Sequence, residues 1–277
     1  MATFRTENAT HKLPDFVKCN IREICDLIHE LQPQTLTELE DSMTLPDYTK
    51  HLKYANAQTL KFLEEVVRKE CIARTLHERQ DRLQTLQRFA DGKHDPAVCA
   101  IMNGHLKKCR IVPTNFKTAI RDLLALTSYK KNTIFIHGCI DSGKSLIAQA
   151  LVEPFVCYRG TMTGISGDHY FDDMLQKSII LIEEGWILQA FADDYKSILS
   201  GYPLSLNLKH VRQRSKLLRT PVIITSNYPD LGRQYLRNVD EIALKARCVM
   251  FNFNKKFQCD RFLTQKQICS WILCDSC

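Results

Sequence analysis

No uninterrupted apolar stretch in this chain is long enough to span a bilayer, so no membrane partner is expected. The opening residues, MATFRTENATHK, lack an apolar core, which argues against a secretory signal. No internal repeat or low-complexity tract is evident, which sets aside solenoids and tail-like segments. A long Lys/Arg run of the kind that marks nuclear import is also missing. Twelve cysteines without a secretory leader point to a reducing compartment and free thiols, not a disulfide framework. What remains is an ordinary globular composition, 44% hydrophobic and 25% charged, in a 277-residue chain that can bury a substantial core.

The net charge of +7 is unevenly placed. Between Pro203 and Arg261 the basic residues Lys209, Arg212, Arg214, Lys216, Arg219, Arg233, Arg237, Lys245, Arg247, Lys255, Lys256 and Arg261 face only Asp230, Asp240, Glu241 and Asp260. That imbalance suits a phosphate-bearing partner, although taken alone a solvated basic face is the readier account.

Residues up to about Ser128 read as helical. Phe16, Ile21, Ile24, Leu27, Ile28 and Leu31 recur at helical spacing from Asp15 to Leu31, Pro33 ends that run, and Thr35 to Glu38 is a capped restart. A long helix or helix pair is expected after Pro46, with Leu52, Leu60, Leu63, Val66, Val67, Ile72, Leu76, Leu83, Leu86 and Phe89 as its apolar stripe. Asp91-Gly92 and Asp95-Pro96 break it, and Phe116 to Leu126 forms a shorter helix. The region serves either subunit contacts or packing onto the part that follows.

Beyond Lys130 the pattern changes to short β-type runs alternating with helices: Thr133–His137, Ser178–Ile182, Val222–Thr225 and Val249–Phe253. This is the signature of an α/β domain built on a mainly parallel sheet. Three parts are therefore expected: a helical region 1–128, an α/β domain 129–258, and a C-terminal helix with a cysteine-rich tail, 259–277. Phe262 to Leu273 should be the helix, while Cys274-x-x-Cys277 is only half a zinc spacing.

The stretch that organises the rest is Gly138-Cys139-Ile140-Asp141-Ser142-Gly143-Lys144-Ser145, between the first β-run and a helix-prone segment. Gly138 and Gly143 let backbone N–H groups turn inward on phosphate oxygens, and the helix that follows adds its positive end. Lys144 would reach the outer phosphates of ATP, and the Ser145 hydroxyl would ligate Mg²⁺. The second run ends in Glu183 and Glu184, either of which could hold the metal's water shell or orient an attacking water. The third ends in Ser226-Asn227, whose amide could sense the terminal phosphate, though taken alone a turn-forming Asn before Tyr228-Pro229 is the better account. Between them Leu204, Leu206 and Leu208 alternate with polar residues and lead into Lys209-His210-Val211-Arg212, the tip of a basic hairpin able to contact DNA phosphates.

The joint order of loop, acidic strand, basic hairpin and Ser-Asn sensor resembles the superfamily 3 helicases of small DNA viruses. Relatives are the parvovirus nonstructural replication protein, polyomavirus large T antigen and papillomavirus replicative helicase. Asn132–Leu151, Ile179–Gly185, Thr220–Asn227 and Ala243–Arg247 with Val249–Phe253 carry the likeness, and His51–Ala57 is similar to the oligomerisation region of large T antigen. The resemblance implies a hexameric AAA+ ATPase encircling single-stranded DNA in the host nucleus. In it Arg247 would reach into the neighbouring protomer's ATP site, and Lys209-His210 would track the strand. Cys139 departs from the proline usual after the first glycine. The His-x-His nickase set of the parvovirus initiators and the zinc spacing of large T antigen are both missing. A packaging-type ATPase and a nucleotide-switched DNA scaffold are the alternatives; a small-molecule kinase leaves the hairpin and sensor without a task.

Overall fold

Asn56, Asp81 and Asp95 decide where the helices start, because each offers a side-chain oxygen to a backbone N–H that has no partner within its helix. The computed structural model describes residues 21–90, 92, 95–161, 171–206 and 215–275. The chain divides between Leu76 and His77 into two units.

In the first unit α1 (Ile21–Leu31) is followed by α2 (Leu36–Ser42), capped as expected by Thr35, whose hydroxyl accepts from Glu38 N at 3.1 Å. The long helix or helix pair expected after Pro46 is three helices, α3 (Leu45–His51), α4 (Ala57–Gln80), which runs past the end of this unit, and α5 (Arg82–Phe89), which belongs to the second. Asn56 accepts from Thr59 N at 2.8 Å to start α4, and Asp81 accepts from Gln84 N at 2.8 Å to start α5. Ile24, Ile28, Leu39, Leu63 and Val67 are buried in this unit.

In the second unit, Asp95-Pro96 is a start and not only a break. Asp95 caps α6 (Pro96–Lys108), a helix absent from the sequence reading, through Ala97 N and Val98 N. Then comes α7 (Pro113–Ala125), which begins before Phe116 and closes on a left-handed Leu126. The remaining order is β1 (Thr133–Gly138), α8 (Lys144–Val152), β2 (Cys157–Thr161), β3 (Ile179–Glu183), α9 (Ala192–Ser200), β4 (Leu204–Leu206), β5 (Ser215–Leu217), β6 (Val222–Ser226), α10 (Asn238–Lys245), β7 (Cys248–Phe253) and α11 (Gln265–Leu273).

Five strands form one parallel sheet in the order β2-β3-β6-β1-β7, and β4 pairs antiparallel with β5 as a separate hairpin. The four expected runs are all there. The edge strand β2, with sequence CYRGT, escaped notice because an edge strand needs no continuous apolar run.

Both faces of the sheet are covered, which is why β1, β3 and β6 read as unbroken apolar runs. Ile134, Ile136, Ile179, Leu181 and Ile223 pack with Leu86, Met102, Phe116, Ile147 and Trp271 on one side. Phe135, Ile180, Ile182, Val222 and Ile224 pack with Tyr195, Leu199 and Leu244 on the other. Trp271 lies in α11 as expected, its indole N–H donating to Asn103 Oδ1 at 2.9 Å. The amino edge of the sheet is pinned by Arg79, which donates to Lys177 O at 2.7 Å, and by Arg82, which donates to Ser178 O at 2.9 Å. Burial pulls the Arg82 guanidinium down to about 10. Strand β1 sits between β6 and β7 with helices on opposite faces, so a crevice opens at its carboxyl end.

Candidate nucleotide site

The loop from Gly138 to Ser145 fills that crevice, and two of its glycines are dictated by space. Gly138 has φ +146, and a Cβ there would stand 2.1 Å from Phe253 O at the end of β7. Gly143 has φ +81 at the start of α8, with the Phe257 ring 3.2 Å from where a Cβ would be. Asp141 adopts a left-handed backbone as well. The loop is laced from outside by Cys139 N donating to Phe253 O at 3.1 Å and Phe257 N donating to Asp141 O at 2.7 Å. Cys139 therefore works through its backbone; its thiol reaches only Phe253 O, at 3.5 Å. Ile140 is exposed at the loop's tip.

Lys144 is only 5% exposed. Its ammonium donates to Cys139 O (2.7 Å), Asn227 Oδ1 (3.1 Å), Ser142 Oγ (3.2 Å) and Gly138 O (3.3 Å). Burial lowers its pKa, opposed by the nearby charge of Glu184. All four accepting oxygens are neutral, two of them main-chain carbonyls and two side-chain oxygens, so the buried ammonium has no anion bonded to it and can take one.

The two strand-tip carboxylates, equivalent on sequence, are separated by geometry. Asn227 Nδ2 donates to Glu184 Oε2 at 3.0 Å while its Oδ1 accepts from Lys144, so Lys144, Asn227 and Glu184 form one relay. Glu183 instead accepts from Gln149 Nε2 of α8, at 3.1 and 3.2 Å. Ser145 is half-buried in the first turn of α8. A hydroxyl and two carboxylates are hard oxygen donors of the kind Mg²⁺ takes. Among the described residues no three His, Cys, Asp or Glu side chains converge as a ready-made metal cage.

Arg247 is not brought to this loop. It precedes β7, whose first residue pairs with Thr133 at the amino end of β1, the edge opposite Gly138. There its Nε donates to Lys196 O at 3.0 Å and its Nη1 to Ala243 O. Lys209, His210 and Arg212 lie outside the described residues, as does Cys277; strands β4 and β5 are the flanks of the expected hairpin. Cys269 is buried, donates to Ala150 O at 3.2 Å and is pushed up to about 12. The expected free thiols are found at Cys25, Cys71, Cys109, Cys139, Cys157, Cys248, Cys259, Cys269 and Cys274, and Cys99 departs from them, being disulfide-bonded.

Two residues of the site gave no signal in the sequence. His105 of α6 is buried beneath the loop, its Nε2 2.9 Å from Ser142 O, with the Phe257 ring at 4.9 Å. Because a carbonyl only accepts, Nε2 must carry the proton. Arg233 donates to Glu184 O at 2.8 Å. Burial lowers the pKa of both His105 and His137, the latter at the end of β1. Both are held neutral in the fold, so their contribution to stability is complete above the free-histidine value of 6.5. As pH falls below that value the unfolded chain takes up protons first and stability is lost. Urea midpoints measured from pH 7.5 to 5.5 should fall on the acid side, and His105→Gln with His137→Gln should flatten that fall.

A family model described as parvovirus non-structural protein NS1 matches residues 104–273, a span that takes in every described strand and the loop from Gly138 to Ser145. This chain belongs to that family. The initiator protein NS1 of Human bocavirus 3 is 31% identical over 130 residues, covering 46% of this chain and 16% of that protein. The initiator protein NS1 of porcine parvovirus strain NADL-2 is 25% identical over 277 residues, covering 93% of this chain and 39% of that protein. The NS1-family chain thus spans well under half the length of these relatives.

Among solved structures, a JCV helicase bound to a substituted N-phenylacetamide compound aligns with TM-score 0.53 at 12% identity, over 88% of this chain and 78% of that one. A second JCV helicase structure gives 0.51 at 13%, over 85% and 77%. At such identity the likeness concerns the fold alone. No helix among the described residues of this NS1-family chain is long and apolar enough to cross a membrane.

Proposed function

We propose that this chain is an ATP-dependent DNA helicase of viral genome replication, hydrolysing ATP in a ring, with six subunits as the expected number, in the host nucleus. The observation that carries the reading is the relay Lys144–Asn227–Glu184, which joins the phosphate loop to the tips of β3 and β6. Lys144 would move from loop carbonyls onto the outer phosphates, and Asn227, released from it, would report their presence to Glu184. Ser145 would hold Mg²⁺ with Glu183 and Glu184 as the acidic partners; when bound, the ion spreads the charge that develops on the transferred phosphoryl group.

Completion of the site by Arg247 of a neighbouring protomer is supported by its place at the opposite edge of its own sheet. Energy from hydrolysis would move the Lys209-His210 hairpin, with Arg212 beside it, along a single strand drawn through the ring. The test combines sizing with an ATP analogue and single-stranded DNA, phosphate release with and without that DNA, and displacement of a labelled strand. A ring with DNA-stimulated hydrolysis and displacement is expected. Stimulated hydrolysis without displacement would make the chain a translocase, and a monomer that turns over no ATP would overturn the reading. Lys209→Ala with His210→Ala should leave DNA-independent hydrolysis within about twofold and cut displacement by about tenfold or more. Unchanged displacement would remove the hairpin from the mechanism.

A further inference from the structure

Arg233 lies on the loop between β6 and α10, where the sequence reading saw only one more basic residue. Its guanidinium meets Glu184 twice, donating to the main-chain carbonyl at 2.8 Å and standing 3.6 Å from Oε2. The Tyr228 ring centroid is 4.5 Å from Cζ and that of Trp186 is 5.9 Å away. Tyr235 packs against Trp186 in turn, with centroids 4.9 Å apart. The side chain is 27% exposed, and its Nε is buried without a hydrogen-bond partner.

These facts point one way. An unpaired buried N–H is costly, and a loop arginine could escape that cost by swinging into water. Here it stays, held over two aromatic faces that favour a cation. Both residues of the pair have left-handed backbones, Glu184 at φ +49 and Arg233 at φ +44, conformations that non-glycine residues adopt only where the surroundings impose them. The result is a carboxylate between two cations: Lys144, through Asn227, on the loop side, and Arg233 on the other.

We infer that Arg233 is a positioning residue acting within its own chain, holding Glu184 in place through the hydrolytic step, with Tyr228 and Trp186 holding Arg233. The inference rests on the hydrolysis reading above. When ATP draws Lys144 and Asn227 toward its phosphates, Glu184 loses the partners on that side. Arg233 keeps it aimed. Because Arg233 grips Glu184 and not the nucleotide, its removal should slow turnover and leave affinity alone.

The test uses the whole chain with Arg233→Ala, Arg233→Lys and Tyr228→Leu. It reads kcat and KM for ATP, affinity for a fluorescent ATP analogue, and Trp186 emission on adding that analogue's non-fluorescent counterpart. Arg233→Ala should lower kcat about 10- to 100-fold with analogue affinity within about twofold. Arg233→Lys should recover only part of it, since an ammonium lacks the planar fork that reaches a carbonyl and stacks on rings. Tyr228→Leu, which leaves the charge in place, should fall between. Nucleotide should shift Trp186 emission in the parent and not in Arg233→Ala; Trp271, buried in α11, is a constant background. A parent-like kcat in Arg233→Ala, or a loss confined to affinity, overturns the inference while hydrolysis stands. A parent chain that neither binds nor hydrolyses ATP overturns both. If Arg233→Ala fails to fold, Arg233→Lys and Tyr228→Leu decide: parent-like kcat in both refutes the positioning role.

Discussion

Lys144→Ala is expected to bring nucleotide turnover down by about 10³-fold or more, the scale on which one preorganised donor to developing charge acts. The fold should survive. The ammonium is a buried cation bonded to four neutral oxygens, and burial already works against its charge, so deleting it relieves a desolvation cost as well as removing hydrogen bonds. Gly138 and Cys139 carbonyls lie on a surface loop where water can replace the amine. The urea midpoint should therefore correspond to a stability change within about 1 kcal/mol. Phosphate release beside urea unfolding checks both halves. Turnover within tenfold of the parent would mean the loop binds something other than the phosphates being cleaved.

That loop was the most legible part of the molecule. Glycine identity at Gly138 and Gly143 is forced by the close approach of Phe253 and Phe257, so the motif can be read without a structure. The core strands were legible for a related reason: β1, β3 and β6 are buried on both faces, and such strands cannot hide in a sequence. Strand β2 could hide, because an edge needs no continuous apolar run. Helix α6 is hard to read from the sequence because Asp95-Pro96 has the look of a break, although the same pair also starts a helix. Choosing between Glu183 and Glu184 needed coordinates. Adjacent residues at a strand tip diverge by backbone conformation, and the left-handed turn at Glu184 is invisible in the letters. His105 and Arg233 were missed for the same reason: each reaches the site from a distant part of the chain and belongs to no local pattern.

Arg247→Ala is expected to leave ATP-analogue affinity within a few fold and to lower hydrolysis by about 10³-fold, the range in which an arginine supplied across an interface acts. The argument is topological. Strand β7 runs parallel to β1 and pairs Cys248 with Thr133 and Phe253 with Gly138, so the loop lies at the far end of the strand that Arg247 precedes. No rotamer carries a side chain along a six-residue strand to its own chain's loop, so a part in hydrolysis would require the loop of another protomer. The contacts Arg247 makes at home, to Lys196 O and Ala243 O, are to carbonyls that water can satisfy, so their loss should lower stability by about 1–2 kcal/mol and not unfold the chain. Mixing decides between the two locations. A Lys144→Ala chain keeps Arg247, and an Arg247→Ala chain keeps Lys144; each alone should be nearly inactive. Combined in equal amounts with single-stranded DNA and allowed to exchange subunits, they should regain a measurable fraction of parent turnover. That recovery comes from interfaces pairing an intact loop on one side with an intact arginine on the other. A mixture as inactive as its components, in chains shown by sizing to co-assemble, would place Arg247 outside the reaction.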